Sequence, residues 1–109
     1  MEVRAVTKDT GIAPRKVRLL LDMIRGKKVD EALTMLRLTK TPSARVVAKT
    51  VKSAAANAEN NFEMVPSELK VVGIFVDEAR TLKRYRARAR GRMAPILKRS
   101  SHITVIIAD

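Results

Sequence analysis

The sequence predicts an α+β fold, and three observations predict it. Apolar residues recur at helical spacing between residues 14 and 59. Two β-rich apolar segments, Leu69 to Val76 and Ile103 to Ile107, follow. Between those segments lies a basic stretch whose arginines fall at every second position. At 109 residues and 46% apolar content the chain has the length of one domain and enough apolar surface for a modest core, which is aliphatic because only Phe62, Phe75 and Tyr85 are aromatic.

Residues 2 to 9 alternate loosely and read as a short strand. Pro14 suits a first helical position and Gly26 a position just past a helix end. Between them Val17, Leu20, Leu21 and Ile24 fall at i, i+3, i+4 and i+7, which is one apolar face. Arg15, Lys16, Arg18 and Arg25 occupy the outer faces, and Lys27 and Lys28 continue the charge. Val29, Ala32, Leu33 and Leu36 repeat the spacing in a second helix over 29–38. Thr41-Pro42 pairs a cap with a first-turn proline and starts a third helix, which runs to Glu59 and is ended by Asn60-Asn61. Val47, Val51, Ala54, Ala55 and Ala58 lie on one side of it, and such small side chains let the sheet or the first helix approach closely.

Residues 61 to 68 hold Asn, Pro and Ser and read as a loop. In the strand that follows, Leu69, Val71 and Phe75 face one way and Val72, Ile74 and Val76 the other. Ile103, Val105 and Ile107 share a face of the last strand. Both strands are apolar on both sides, so they are expected to lie adjacent in a sheet and to be buried on much of both faces.

The stretch between them, RTLKRYRARARGRMAPILKR over residues 80–99, holds nine of the chain's 23 Lys and Arg and no acid; the whole chain carries +12. So dense a run of like charge repels itself and implies a polyanionic partner. Most of its bases are Arg, whose planar fork of donors matches phosphate oxygens. Arg84, Arg86, Arg88, Arg90 and Arg92 have period two. A helix turns about 200° over two residues and would split them between two sides, whereas a strand places them on one face. The flanking strands, paired antiparallel, put the chain reversal near residues 89 to 92, where Gly91 supplies a left-handed backbone. Ten residues a side give an arm of roughly 30 Å. A lone two-stranded ribbon is marginal in water, so the arm is expected to order chiefly when embedded in its partner. Residues 1–79 and 100–109 then form a body and 80–99 an extended basic hairpin. Tyr85 either stacks on a base or packs at the root of the arm. The cluster Arg15, Lys16, Arg18, Arg25, Lys27 and Lys28 reads equally as a second nucleic-acid patch or as a solvated helix face.

Enzyme chemistry has little to work with. There is no Cys, which excludes disulfides and thiolate sites. The one histidine, His102, stands at a strand start, where it is expected to be hydrogen-bonded or solvated. Asp77 and Glu78 are neighbours in an extended segment and point to opposite faces, so they form no dyad. No phosphate loop, dinucleotide fingerprint or metal-ligand cluster is present, and no cofactor or metal is expected. The N-terminus lacks the apolar core of a secretory leader, and no apolar run approaches a membrane span. Two rival classes share the charge. A DNA-architectural protein would use the ribbon in the minor groove and would prefer duplex DNA. A membrane-surface protein would need a basic amphipathic helix with bulky aromatics, which the chain lacks.

Several segments together resemble a universal family of large-subunit ribosomal proteins, the twenty-second in the bacterial large-subunit naming. Ala13-Pro14-Arg15-Lys16-Val17-Arg18-Leu19 with Ile24-Arg25-Gly26-Lys27 resembles its first helix, and Ser53 through Asn61 (SAAANAENN) its third. Phe75-Val76-Asp77-Glu78, Lys83-Arg84, Arg88-Ala89-Arg90-Gly91-Arg92 and Leu97 through Val105 (LKRSSHITV) resemble its hairpin and last strand. The likeness covers essentially the whole chain. It implies three helices packed on a three-stranded antiparallel sheet, with a long protruding β-hairpin. It also implies a cytoplasmic ribosomal protein, a monomer within the large subunit, that binds large-subunit ribosomal RNA and supports assembly. Its implied partners are that RNA, neighbouring large-subunit proteins and, near the hairpin tip, the nascent polypeptide in the exit tunnel. By position, Arg88, Ala89, Arg90, Gly91 and Arg92 form the tip, and Lys83 and Arg84 lie near the tunnel constriction. Lys98 and Arg99 contact RNA on the return strand; Arg80 and Arg86 add to the RNA-facing charge. The chain departs from the family pattern at Ala79-Arg80, where Gly-Pro is frequent, and at Ala87, where Pro is frequent before the tip.

Overall fold

In a computed structural model, which describes residues 2–109, proline and glycine set the limits of the first helix. α1 spans Pro14–Ile24, after an extended Ala13. Arg25 N–H closes its end on Leu21 O at 3.0 Å, and Gly26, at φ 80°, turns the chain so that its own N–H reaches Val71 O at 2.8 Å. α2 spans Val29–Leu38, with Asp30 and Glu31 in its first turn and Arg37 in its last, each at the end where the helix dipole favours its charge. α3 spans Pro42–Phe62, and Thr41 Oγ1 accepts the N–H of Ala44 as its cap.

α3 therefore runs past Glu59, and Asn60-Asn61 do not end it. The chain turns at Glu63, which is left-handed at φ 53°, and Met64 N–H closes on Ala58 O at 3.1 Å. Met64 is buried against the core. Burying that side chain outweighs the weak helix propensity of two asparagines, which costs only about 0.5 kcal/mol each.

Five strands follow the order β1 Glu2–Thr7, β2 Lys70–Glu78, β3 Leu82–Ala87, β4 Met93–Lys98 and β5 Ser101–Ala108. β1, β5 and β2 form an antiparallel sheet in that order, with β5 in the centre. α3 lies across β1 and β5, and α1 lies beside β2. Between the layers Val17, Ile24, Val47, Val51, Ala54 and Ala58 meet Val71, Ile74, Ile103, Val105 and Ile107, all wholly buried. Thr50, a helix-face hydroxyl buried on α3, is satisfied by Val46 O at 2.9 Å and Thr7 Oγ1 at 2.7 Å. The small face of α3 thus admits the sheet.

Helices cover one face of this sheet only, which corrects the expectation of burial on both. It also corrects the face assignment in β2. Val71 opposes Ile107 and Gly73 opposes Ile106, so Val72 is an extra residue without a partner. This bulge reverses the alternation after it. Leu69, Val71, Ile74 and Val76 point into the core, while Val72 and Phe75 are exposed on the open face. The Phe75 ring lies over Gly73, so close that a Cβ there would meet its Cε2 at 3.4 Å.

β3 and β4 form a separate two-stranded sheet that stretches the molecule to 62 Å along its longest axis, against 25 and 17 Å across.

Candidate nucleic-acid interface

The arm's register follows from its turn. Leu82 opposes Lys98, Arg84 opposes Ile96, Tyr85 opposes Pro95, and Ala87 opposes Met93 as the last pair. Alternation then sorts the arm into two faces. Leu82, Arg84 and Arg86 share one with Ala94, Ile96 and Lys98. Lys83, Tyr85 and Ala87 share the other with Met93, Pro95 and Leu97. Tyr85 stands midway along the arm opposite Pro95, well exposed, and does not pack at the root.

The period-two arginines share a face only as far as the strand lasts. Residues 88 to 92 form the turn, closed by Arg88 N–H on Arg92 O at 2.6 Å. Arg90 (φ 62°) and Gly91 (φ 71°) are both left-handed there, so Arg88, Ala89, Arg90, Gly91 and Arg92 cap the arm as a knot of charge and not as a continued row. Gly91 is where the sequence places the reversal, and the second left-handed residue, Arg90, is one that L side chains rarely tolerate.

Every residue of β3 is exposed. Arg84 Nη1 donates to Lys83 O at 3.0 Å. Among the described residues, the side chains of Arg80, Lys83, Arg86, Arg88, Arg90, Arg92, Lys98 and Arg99 have no hydrogen-bond or ion-pair partner. The charge of the arm is not neutralised by the other described residues.

At its root the arm is latched to the loop between β1 and α1. Thr10 N–H donates to Ser101 O at 3.0 Å, and the hydroxyls of Thr10 and Ser101 meet at 2.7 Å. Gly11 N–H donates to Ser100 Oγ at 2.9 Å, and Asp9 N–H to His102 Nδ1 at 3.1 Å. Ser100, Ser101 and His102 thus hold the loop that leads into α1, and His102 is hydrogen-bonded at its strand start. Beside the latch is a cleft lined by Lys16 from α1, Lys98 and Arg99 from the return strand, and Pro42 and Ser43 from the start of α3. The fold brings these three cations together from segments more than eighty residues apart.

The other bases around α1 do not join them. Arg18 and Arg25 lie on the far side, beside Ile74 to Asp77 of β2. Arg25 is committed to the protein, with Nη1 on Asp22 Oδ1 and Nη2 on Ile74 O, both at 3.1 Å. Lys27 and Lys28 run along the start of β2, where Lys28 bridges to Lys70 and Lys27 O accepts Val71 N–H at 2.9 Å. Arg15 is exposed. What the sequence shows as one cluster the fold distributes over several sides.

A further set of bases is absent from the sequence reading. Arg37, Lys40, Arg45, Lys49 and Lys52 line a groove between α2 and α3. The sign of it was the spacing of Arg45, Lys49 and Lys52, at i, i+4 and i+7 on the face away from Val47 and Val51.

Among the described residues no group of His, Asp or Glu could hold a metal ion, and no helix is long and apolar enough to cross a membrane.

Residues 5–108 match the family described as ribosomal protein L22p/L17e. The chain is 65% identical over 109 residues to the large ribosomal subunit protein uL22 of Dehalococcoides mccartyi strain 195, covering 100% of both chains. It is 63% identical, again over the whole of both chains, to the proteins of the same name from strains BAV1 and CBDB1.

Proposed function

The chain belongs to the ribosomal protein L22p/L17e family and is a structural component of the large ribosomal subunit; from that premise we propose that it binds large-subunit ribosomal RNA through the arm and the cleft at its root, supports folding of that RNA during assembly, and lines the peptide exit tunnel with the arm's tip. The observation that carries this reading is the set of eight arm cations that have no partner among the described residues. Phosphate is the counter-charge that completes them. Residues 1–79 and 100–109 act as the anchor on the RNA surface, beside neighbouring ribosomal proteins, and residues 80–99 as the reaching element.

Binding by phosphate neutralisation releases counterions. If eight of the bases engage phosphate, log K falls against log salt with a slope of about −6 to −7. Arg84, Arg86 and Lys98 supply one RNA-facing side of the arm, and Lys16, Lys98 and Arg99 clamp a phosphate strand at its root. Recognition is by RNA shape, because the deep groove of an A-form helix excludes side chains. At the tip, Ala89 and Gly91 keep the profile small between Arg88, Arg90 and Arg92, which suits a surface passed by a moving polypeptide.

The test is sedimentation of a tagged chain from native lysate. Comigration with large subunits, kept at moderate salt and lost when residues 82–98 are replaced by a short turn, supports the reading. A chain that stays at the top of the gradient, or follows genomic DNA in a nuclease-sensitive way, removes it in favour of the DNA-architectural class.

A further inference from the structure

We propose that the groove between α2 and α3 is a second RNA-backbone site, continuous with the cleft at the root of the arm. The inference rests on the RNA-binding reading above and deepens it by naming the face of the body that takes part in the anchoring.

The groove is rimmed by Arg37, Lys40, Arg45, Lys49 and Lys52, all exposed, and no carboxylate lines it. Among the described residues none of the five has an ion-pair or hydrogen-bond partner. Arg37 has a local reason to be there, since it sits in the last turn of α2, where the helix dipole favours a cation. Arg45 has no such reason. Arg45 lies in the second turn of α3, close to the end where the dipole disfavours positive charge, and the first turn carries no acid to offset it. Lys49 and Lys52 extend the stripe within the first half of the same helix. Nothing among the described residues neutralises Arg45, Lys49 or Lys52, and an external polyanion would. Arg45 to Lys52 spans about 10 Å of helix axis at 1.5 Å per residue, long enough to meet more than one phosphate.

Two polyanions fit such a groove, an RNA strand and an acidic protein segment. Continuity decides between them. Pro42, at the start of α3, lines both this groove and the root cleft that holds Lys16, Lys98 and Arg99. A phosphate strand leaving the arm's root therefore meets Lys40 and Arg45 next, with no intervening acid among the lining residues. Leu33, Leu36, Ala44 and Ala48 give the groove its apolar lining.

The experiment measures binding of the full chain to naked large-subunit ribosomal RNA across a salt series. Three proteins are compared: the unaltered chain, a groove variant (Arg45→Gln, Lys49→Gln, Lys52→Gln) and an arm variant (Arg84→Gln, Arg86→Gln). Loss of three phosphate contacts shrinks the log–log slope by about 2 to 3, and loss of two by about 1.5 to 2. The proposal expects both variants to shrink it. An arm effect with an unchanged slope for the groove variant overturns the groove and hands it to an acidic protein segment, while leaving the RNA reading intact. Unchanged slopes for both remove the RNA reading and the groove together. The substituted side chains are exposed and Gln matches Lys and Arg in helix propensity, so folding is preserved; should thermal unfolding show otherwise, the double variant Lys49→Gln, Lys52→Gln replaces the triple, with an expected loss of about 1.5 to 2.

Discussion

Strand β5 buries Ser101, Ile103, Val105 and Ile107 completely, while β3, a few residues away along the same pair of strands, buries nothing. The backbone ladders are of similar quality, six pairs in the arm and a comparable run in the body. What differs is what the side chains do. Each fully buried Ile or Val contributes roughly 1.5–3 kcal/mol. Each exposed cross-strand pair contributes about 0.2–1 kcal/mol, less than the roughly 1–2 kcal/mol of backbone entropy lost per ordered residue. The body is therefore ordered by its own core, whereas the side chains of the arm contribute little to its order. The difference teaches where stability is encoded in this chain; under the proposed function, binding falls to separate residues, so that each can be changed without the other.

The strongest attempt to break that separation is Ile103→Ala in the central strand. It removes a wholly buried side chain from the layer between α3 and the sheet. A loss of about 2–5 kcal/mol is expected, read as a lower urea midpoint with an unchanged denaturant slope. Under conditions where the variant stays folded, its RNA binding should keep the same salt slope. A shallower salt slope at full folding would show that the core helps set the charge display, and the separation would not hold.

A smaller effect is expected at the seam between the two regions. Ser101→Ala removes the buried hydroxyl that meets Thr10 Oγ1 at 2.7 Å. The Thr10 hydroxyl keeps the N–H of Ile12 at 3.2 Å but loses its buried partner. The expected cost is about 1–3 kcal/mol, with faster amide exchange at Thr10 and Gly11, whose N–H groups are held by Ser101 O and Ser100 Oγ. Because the latch places the arm beside Lys16 without supplying charge, RNA affinity should fall at constant salt slope. Unaltered affinity would mean that the arm's direction is set by the RNA and not by the latch.

The sequence shows these regions unequally, and the reasons are local. α1 and α3 are marked by prolines at their starts and α2 by its spacing, so their first residues are readable. The end of α3 is not, because it is fixed by Met64 reaching the core from beyond Asn60 and Asn61, a tertiary event with no mark in the local pattern. The bulge at Val72 is hidden for another reason. Val71 through Val76 is apolar at every position except Gly73, so no polar residue shows which side faces water, and Gly73 was the single hint. The arm is legible because period two and a missing acid leave one geometry. The groove bases were overlooked because Lys and Arg on a helix face ordinarily mean solvent, and only packing against α2 brings Arg37 and Lys40 beside Arg45. The α1 cluster shows the reverse error: neighbours in sequence, they are sent by the fold to different sides.

The finest test of the comparison is at the tip, where the expected effects are smallest. Gly91 is left-handed at φ 71°, and a Cβ there would have nothing within 4 Å, so Gly91→Ala adds backbone strain with no steric clash. That strain is about 1–2 kcal/mol. It should destabilise the turn and speed exchange at the Arg88 amide, whose N–H closes the tip on Arg92 O. Arg90→Gly should act in the opposite direction, since it relieves the same strain at φ 62°, although the added chain freedom of glycine takes back about 0.5–1 kcal/mol. Its net benefit to the turn is thus about 0.5–1 kcal/mol, and its RNA salt slope should shrink by about one contact. Neither variant should move the body's unfolding midpoint, because no buried side chain links the tip to the core. If Gly91→Ala lowers that midpoint as far as Ser101→Ala does, arm and body unfold as one cooperative unit, and the idea of a self-sufficient body carrying a partner-dependent arm is wrong.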